Sequence, residues 1–175
     1  LSYDDMGLDE PLLRGIYGFG WERPSPIQAR AIMPIMSGRD TIAQAQSGTG
    51  KTGAFTISLL QRIDMESPLC QALVLAPTRE LAQQTRDVIE GVGQHMKVKV
   101  HACIGGTDWK ADAGALRRGG VQVVVGTPGR VLHLLSLGAL RAGDLKLLVL
   151  DEADEMLDRG FAEQMHDIFE IGMPR

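Results

Sequence analysis

Short apolar runs without strict alternation constrain the fold of this chain more than any other feature. They lie at residues 72–76, 121–125 and 145–150. Strands buried on both faces have this pattern, as in a parallel sheet that helices cover. Residues 41–45 and 98–104 complete a predicted set of five strands, and helical patterns separate them. The alternation predicts a doubly wound α/β domain, with helices on both faces of a parallel sheet.

Capping residues mark where the predicted helices begin and end. Ser25–Pro26 offers an N-cap followed by proline at the first helical position, and Thr127–Pro128 repeats that arrangement. Thr78 and Asp108 are further candidate N-caps, and Gly38 would close the helix that begins after Ser25. We expect residues 1–38 to form an N-terminal flank and residues 39–175 to form the α/β domain.

Composition excludes several classes of protein. The 175 residues are 44% apolar and 5% aromatic, which is typical of one soluble α/β domain. There is no apolar run of membrane-spanning length and no cleavable signal pattern, so we expect an intracellular location. A formal net charge of −4 argues mildly against a protein that coats nucleic acid through charge alone.

Cysteine and histidine residues form no metal-binding pattern. Cys70 and Cys103 have neither metal-site spacing nor a disulfide framework around them, which predicts reduced thiols in the core. The histidines are scattered along the chain, at His95, His101, His133 and His166.

A glycine-rich segment at residues 45–52 has the context of a phosphate-binding loop, because it follows a predicted strand and opens a predicted helix. Backbone N–H groups of such a loop hold phosphates at the helix N-terminus. Lys51 would neutralise the β and γ phosphates, and Thr52 would offer a hydroxyl to a magnesium ion. The pattern departs from the general motif at Ala45, where glycine is usual. The candidate phosphate-binding residues are Ser47, Gly48, Thr49, Gly50, Lys51, Thr52 and Gly53.

Two adjacent carboxylates follow the apolar run at residues 145–150. Asp151 would hold magnesium through its water shell, and Glu152 would orient and polarise the attacking water. Together with Lys51 they are the candidate catalytic residues for cleavage of a nucleoside triphosphate. The alternative is an acidic N-terminus of the next helix, which the helix dipole favours.

Six motifs in a fixed order resemble the N-terminal RecA-like domain of DEAD-box RNA helicases. They are residues 20–28, the phosphate loop, Pro77-Thr78-Arg79-Glu80-Leu81, Gly105-Gly106, Thr127-Pro128-Gly129-Arg130 and Asp151-Glu152-Ala153-Asp154. The resemblance covers essentially the whole chain. The strings at residues 43–46, 101–107 and 154–157 are most similar to the translation initiation factor 4A subfamily.

The resemblance implies that ATP is the nucleotide and that Gln28 reads adenine. Gln28 lies three residues after Ser25, which is also the spacing of a capping box, and the two roles are compatible. Tyr3 and Trp21 would pack near the base, or they could be surface packing. Arg23 would line the same pocket.

The resemblance also implies contacts to the RNA backbone. Free N–H groups and hydroxyls where strands end can bind phosphate oxygens without reading bases, and contacts to the 2′-OH favour RNA over DNA. Taken alone, these positions could be ordinary helix caps. The residues implied are Pro77, Thr78, Arg79, Gly105, Gly106, Thr127, Pro128, Gly129 and Arg130.

Further partners follow from the same resemblance. Asp154 would couple to a C-terminal RecA-like domain, and a HEAT-repeat scaffold of the initiation machinery would bind the protein. The family's Ser-Ala-Thr motif does not occur before Arg175. A gap at that strand would leave central strands unpaired, so we expect this chain to be a piece of a longer polypeptide that neither unwinds RNA nor binds nucleotide tightly by itself.

Three other functions stay open. A nuclear exon-junction relative shares these motifs, and its location would be nuclear rather than cytoplasmic. A transport or motor ATPase has a similar loop, but this chain lacks an LSGGQ-type signature and carries its adenine-reading segment upstream of the loop. An isolated helicase half could serve as a scaffold-binding module.

Overall fold

The computed structural model describes residues 1–39, 41, 48 and 50–172. Its helices are a 3₁₀ helix at Tyr3–Met6, α1 (Glu10–Gly18), α2 (Pro26–Met36), α3 (Lys51–Arg62), α4 (Arg79–Val92), α5 (Trp109–Arg117), α6 (Pro128–Ser136), α7 (Ala153–Asp158) and α8 (Ala162–Gly172). Its strands are β1 (Ala72–Leu75), β2 (Val100–Cys103), β3 (Val123–Gly126) and β4 (Leu147–Leu150). Within the described residues, no helix is both long and apolar enough to cross a bilayer.

The chain divides into two compact units. Unit 1 contains Leu1–Ile63 and Asp87–Val98, and unit 2 contains Asp64–Arg86 and the residues from Lys99 onward. Unit 1 holds the 3₁₀ helix, α1, α2, α3 and the end of α4. Unit 2 holds the described strands and the remaining helices.

Helix packing builds unit 1. The α2 helix begins with a capping box, in which Ser25 Oγ accepts from Gln28 N at 3.3 Å and Gln28 Oε1 accepts from Ser25 N at 3.1 Å. The α3 helix is buried from Gly53 to Leu60, so its apolar side chains contact neighbours all round. Leu12 and Ile16 of α1 are also fully buried. Each such side chain stabilises the fold by about 1.5–3 kcal/mol.

A four-stranded parallel sheet organises unit 2, in the order β2-β3-β1-β4. Its register aligns the last residues of the strands: Leu75 pairs with Gly126 and with Leu150, and Cys103 pairs with Gly126. The segments that follow the four strands therefore emerge at one edge of the sheet. Ligand sites of open parallel sheets lie at this carboxyl edge.

The core of unit 2 lies between the sheet and its helices. It contains the residues on one face of β1 and β3, together with one apolar face each of α6, α7 and α8. The principal members are Leu73, Leu75, Val124, Val131, Leu134, Met156 and Ile168. All four residues of β1 and of β3 are buried, which explains why neither strand alternates apolar and polar residues.

The structure confirms four of the five predicted strands, each shorter than its apolar run. Of the first predicted strand, residues 41–45, only Thr41 belongs to the described residues. Three N-caps are confirmed by a side-chain hydrogen bond: Ser25, Thr78 and Asp108. Thr127 precedes α6 as predicted, but its hydroxyl makes no capping bond. The α2 helix ends at Met36 with Ser37 as its C-cap, and Gly38 follows in the left-handed conformation with a φ of 86°, so it closes the helix as predicted.

Candidate functional site

A cavity of about 410 Å³ in unit 1 is lined in part by Gln28. Its lining residues are Tyr3, Gly20, Trp21, Glu22, Arg23, Ser25 and Gln28. The structure thus brings together the four residues expected to recognise a base, although Tyr3 lies 25 positions before Gln28. The volume is within the range of small-molecule sites.

Three hydrogen bonds fix the orientation of the Gln28 amide. Its Oε1 accepts from the Tyr3 hydroxyl at 2.6 Å and from Ser25 N at 3.1 Å, and its Nε2 donates to Gly50 O at 3.3 Å. Reversing the amide would place an N–H group against the Ser25 N–H and the amide oxygen against the Gly50 carbonyl oxygen, which costs hydrogen bonds in a buried place. The carboxamide therefore presents a defined donor and acceptor to the cavity.

Tyr3 is an anchor of this cavity rather than surface packing. It is 1% exposed, and its hydroxyl also lies 3.3 Å from Arg23 O. Burial raises the pKa of the Tyr3 hydroxyl above its usual value, and the nearby Tyr17 adds to the shift. The hydroxyl is thus a stable donor to Gln28. Trp21 is half-buried and packs edge-to-face on Phe19 at 5.0 Å.

The start of α3 approaches the cavity closely at Gly53. A Cβ at Gly53 would collide with Gln28 Nε2 and would lie 3.2 Å from the Trp21 ring. Only glycine fits there without movement of those side chains. Lys51 and Thr52, at the first two positions of α3, are half-buried. Of the other predicted loop residues, Gly48 is exposed, and Ser47 and Thr49 lie outside the described residues.

Asp151 and Glu152 emerge from β4 at the carboxyl edge of unit 2. The Asp151 N–H donates to Leu75 O at 2.9 Å, which extends the sheet by one residue. Its side chain is 8% exposed, and the Thr85 hydroxyl donates to Oδ2 at 3.5 Å. The carboxylate therefore lies in a mostly buried position directly after β4, and carboxylate oxygens are ligands that hard cations take.

Glu152 has an unusual backbone conformation. Its φ of 54° and ψ of 52° lie in the left-handed region, and it is the residue directly before α7. For a side chain other than glycine this conformation costs about 1–2 kcal/mol. Strain of this kind persists where the surrounding structure imposes it, and it is concentrated at functional sites. Asp154, two residues later, lies exposed in α7.

The predicted nucleic-acid segments meet at the same edge, around the turn that follows β2. Thr78 caps α4 by accepting from Leu81 N at 3.1 Å, and Pro77 is buried. The Arg79 guanidinium lies against Gly106, so that a Cβ at Gly106 would collide with it. Gly106 is exposed and has a φ of 83°. Because Gly106 has no side chain, the Arg79 guanidinium can lie close to the turn at this residue.

The predicted nucleic-acid segment at residues 127–130 contacts the same turn through Arg130. Its Nη1 donates to Thr107 Oγ1 at 3.1 Å and to Asp112 Oδ2 at 2.7 Å, and its Nη2 donates to Thr107 O at 2.8 Å. Asp112 Oδ1 in turn lies 2.8 Å from His101 Nε2. The Arg130 and Asp112 side chains are 10% and 9% exposed, so this is a largely buried ion pair.

The ligand-type atoms of His101, Cys103 and Asp112 lie within 4.8 Å of one another. The Arg130 guanidinium already neutralises the Asp112 carboxylate, and its positive charge opposes a cation at that place. Burial raises the pKa of the Cys103 thiol far above its usual value, and the negative charge of Asp112 adds to the shift. The cluster is therefore an ion-pair network rather than a metal centre.

Both cysteines are free thiols, as predicted. Burial raises the pKa of Cys70 to about 12. The thiolate is the reactive form of cysteine, so neither residue has the environment of a nucleophile.

Sequence reasoning missed Asp112 and the role of His101. Asp112 lies in the first turn of α5, where the helix dipole favours a carboxylate, and that is the only local signal for it. Its pairing with Arg130 spans 18 positions, and no motif spacing reveals such a contact.

Comparison with known proteins identifies the family. The sequence model described as DEAD/DEAH box helicase matches residues 25–174. The chain belongs to the DEAD/DEAH box helicase family. This result confirms the resemblance and the RecA-like fold predicted from the motif order.

Two relatives of this chain carry the name of initiation factor 4A. The Aspergillus niger protein named ATP-dependent RNA helicase eIF4A is 58% identical over 97% of this chain and 42% of its own length. The Drosophila melanogaster protein named eukaryotic initiation factor 4A is 58% identical over 99% of this chain and 43% of its own length. The chain thus spans less than half the length of these relatives.

Solved structures of DEAD-box proteins share the fold. A DEAD box protein from the hyperthermophile Methanococcus jannaschii gives a TM-score of 0.92 at 34% identity, over 98% of this chain and 47% of its own. Saccharomyces cerevisiae Dbp5, in a structure bound to RNA and ADP BeF3, gives 0.90 at 39% identity, over 98% of this chain and 44% of its own.

Proposed function

We propose that this chain is the ATP-binding half of an ATP-dependent RNA helicase of the initiation factor 4A type. In this proposal the chain is part of a polypeptide that is as long as its relatives and that contains a C-terminal RecA-like domain. We refer to that polypeptide as the full-length protein. Names of the relatives at 58% identity support the helicase and initiation-factor assignments. A cytoplasmic location and a HEAT-repeat scaffold protein of the initiation machinery as partner are further parts of the proposal.

The observation that carries the proposal is the oriented Gln28 amide in its cavity. One N–H of Gln28 Nε2 donates to Gly50 O. We propose that its second N–H donates to adenine N7. The adenine N6 amino group then competes with the Tyr3 hydroxyl for Gln28 Oε1. Guanine presents an oxygen at this place, which repels Oε1. The site should therefore prefer ATP and ADP to GTP.

The phosphates and the hydrolytic step are assigned to other residues of the chain. We propose that Lys51 and the loop N–H groups hold the phosphates and that Glu152 accepts a proton from the attacking water. Carboxylate and hydroxyl oxygens suit magnesium, so Asp151 and Thr52 are the residues that would hold it. Bound magnesium would neutralise charge that develops on the phosphate oxygens.

RNA binding is assigned to the carboxyl edge of unit 2. Thr78 and Gly106 offer polar backbone and hydroxyl groups at the ends of strands, and Arg79 adds charge beside them. Within the described part of the chain, Arg130 uses three of its five N–H donors, and we propose that the other two bind phosphate oxygens. We propose sequence-tolerant contacts here and at Thr127 and the residues around it. Asp154 is proposed to couple RNA binding to the second domain.

A competition titration with fluorescent ADP on the full-length protein tests the adenine assignment. ATP should displace the probe at roughly 5- to 150-fold lower concentration than GTP, which corresponds to about 1–3 kcal/mol of base discrimination. Gln28→Ala should remove the preference, and Lys51→Ala should weaken both nucleotides together because it acts on phosphate. Equal ATP and GTP affinities in the wild-type protein would contradict the proposal.

A further inference from the structure

Side-chain hydrogen bonds attach the turn that follows β2 to itself and to α6. Thr107 Oγ1 donates to Ile104 O at 2.8 Å and closes the turn on itself. Arg130 then holds both the hydroxyl and the carbonyl of Thr107. Among the described residues, Arg130 thus supplies two hydrogen bonds to Thr107, while the exposed Arg79 guanidinium lies against Gly106.

Asp112 determines where the Arg130 guanidinium lies. Its Oδ2 accepts from Nη1 at 2.7 Å, which is the shortest of the three bonds that Arg130 makes. Its Oδ1 is held at 2.8 Å by His101 on β2, so the carboxylate itself has a fixed orientation. Because the pair is about nine-tenths buried, water does not compete effectively for either partner.

We infer that Asp112 is a positioning residue for RNA binding. It acts through Arg130, which it holds against Thr107, and it thereby fixes the turn at residues 105–107 relative to the start of α6. Both segments are assigned to the RNA backbone in the proposed function, on which this inference rests. Phosphate contacts through backbone groups depend on the spacing of those groups, so a small displacement of the turn weakens several contacts together.

Removing one negative charge from a nucleic-acid-binding protein ordinarily strengthens binding or leaves it unchanged. Asp112→Asn removes one such charge and is predicted to weaken binding, because the amide cannot hold the guanidinium as a carboxylate does. Asp158→Asn is the matched control, since Asp158 lies exposed at the end of α7. Weaker RNA binding by Asp112→Asn, beside unchanged or tighter binding by Asp158→Asn, distinguishes a positioning role from a general charge effect.

The experiment measures binding of a short fluorescein-labelled single-stranded RNA to the full-length protein with a non-hydrolysable ATP analogue, by fluorescence anisotropy. Asp112→Asn should raise the Kd for RNA on the order of ten-fold, and Asp112→Glu should restore most of the affinity. The Kd for ADP should stay the same in both, which shows that each variant is folded. In an Arg130→Lys background, Asp112→Asn should have little further effect, because the two residues act as one unit.

Each other outcome overturns the inference. If Asp112→Asn binds RNA as tightly as Asp158→Asn, the carboxylate does not position the turn. Tighter binding would show that Asp112 restrains an arginine that otherwise binds phosphate. Additive effects of the Asp112 and Arg130 substitutions would show that Asp112 does not act through Arg130. A wild-type protein that does not bind RNA would refute the proposed function itself, a result distinct from loss of the Asp112 effect alone.

Discussion

Tyr3→Phe removes one hydroxyl from the Gln28 cavity and leaves the ring in place. The hydroxyl donates to Gln28 Oε1 at 2.6 Å, and both residues are at least 95% buried, since Tyr3 is 1% and Gln28 5% exposed. Gln28 Oε1 keeps its bond from Ser25 N, so the change does not leave a buried oxygen without a partner. The expected loss is that of one net buried hydrogen bond, about 1 kcal/mol.

Urea unfolding of the wild type and the variant measures this loss. A difference of that size corresponds to a decrease in Tm of roughly 2–4 °C for a domain of this length. Tyr17→Phe is the matched control: its hydroxyl also bonds a side-chain oxygen, Asp4 Oδ2 at 2.5 Å, but Tyr17 is 40% exposed. That bond is exchanged readily for water, so its loss should cost less than about 0.5 kcal/mol.

The same pair of variants tests the orientation of the amide. Without the Tyr3 hydroxyl, Oε1 has one donor fewer and is more available to the adenine N6 amino group. Tyr3→Phe should therefore bind ADP at least as tightly as wild type while being less stable. Equal stability of the two variants, or weaker ADP binding by Tyr3→Phe alone, would refute the reasoning.

Three further predictions follow from local geometry. Gly15→Ala places a Cβ against the Val92 carbonyl oxygen and should destabilise the protein by about 1–3 kcal/mol. Gly114→Ala, in the more open α5, should instead stabilise it by roughly 0.5–1 kcal/mol. Changes in Tm of the same sign for both variants would contradict this. Glu152→Gln should keep ADP and RNA binding in the full-length protein but lose most ATP turnover, and turnover at the normal rate would disprove its assigned role. With its pKa raised to about 12, Cys70 should react with iodoacetamide at pH 8.5 far more slowly in the folded protein than in urea, and equal rates would contradict the burial of its thiol.

Local patterns predicted the parts of the fold that depend on neighbouring residues. The apolar runs around β1 and β3 lack alternation because both faces of each strand are buried. Ser25 and Gln28 have capping-box spacing, and the box forms. In both cases the physical cause acts within one element, so the sequence of that element suffices to predict it.

Contacts between distant elements could not be predicted in this way. The Tyr3 hydroxyl meets Gln28 across 25 positions, and Arg130 meets Asp112 across 18. Such pairs depend on helix placement and side-chain rotamers, which no periodicity encodes. The left-handed backbone of Glu152 was equally hidden, because the residue type disfavours it and only the surrounding structure imposes it.

RNA-stimulated ATP hydrolysis by the full-length protein tests the central claim most directly. Steady-state turnover should rise when unstructured single-stranded RNA is added, and it should be lost in Lys51→Ala with and without RNA. GTP should support little turnover under the same conditions, because Gln28 reads the base. A rate of ATP hydrolysis that does not change as RNA is raised to saturation would contradict the account.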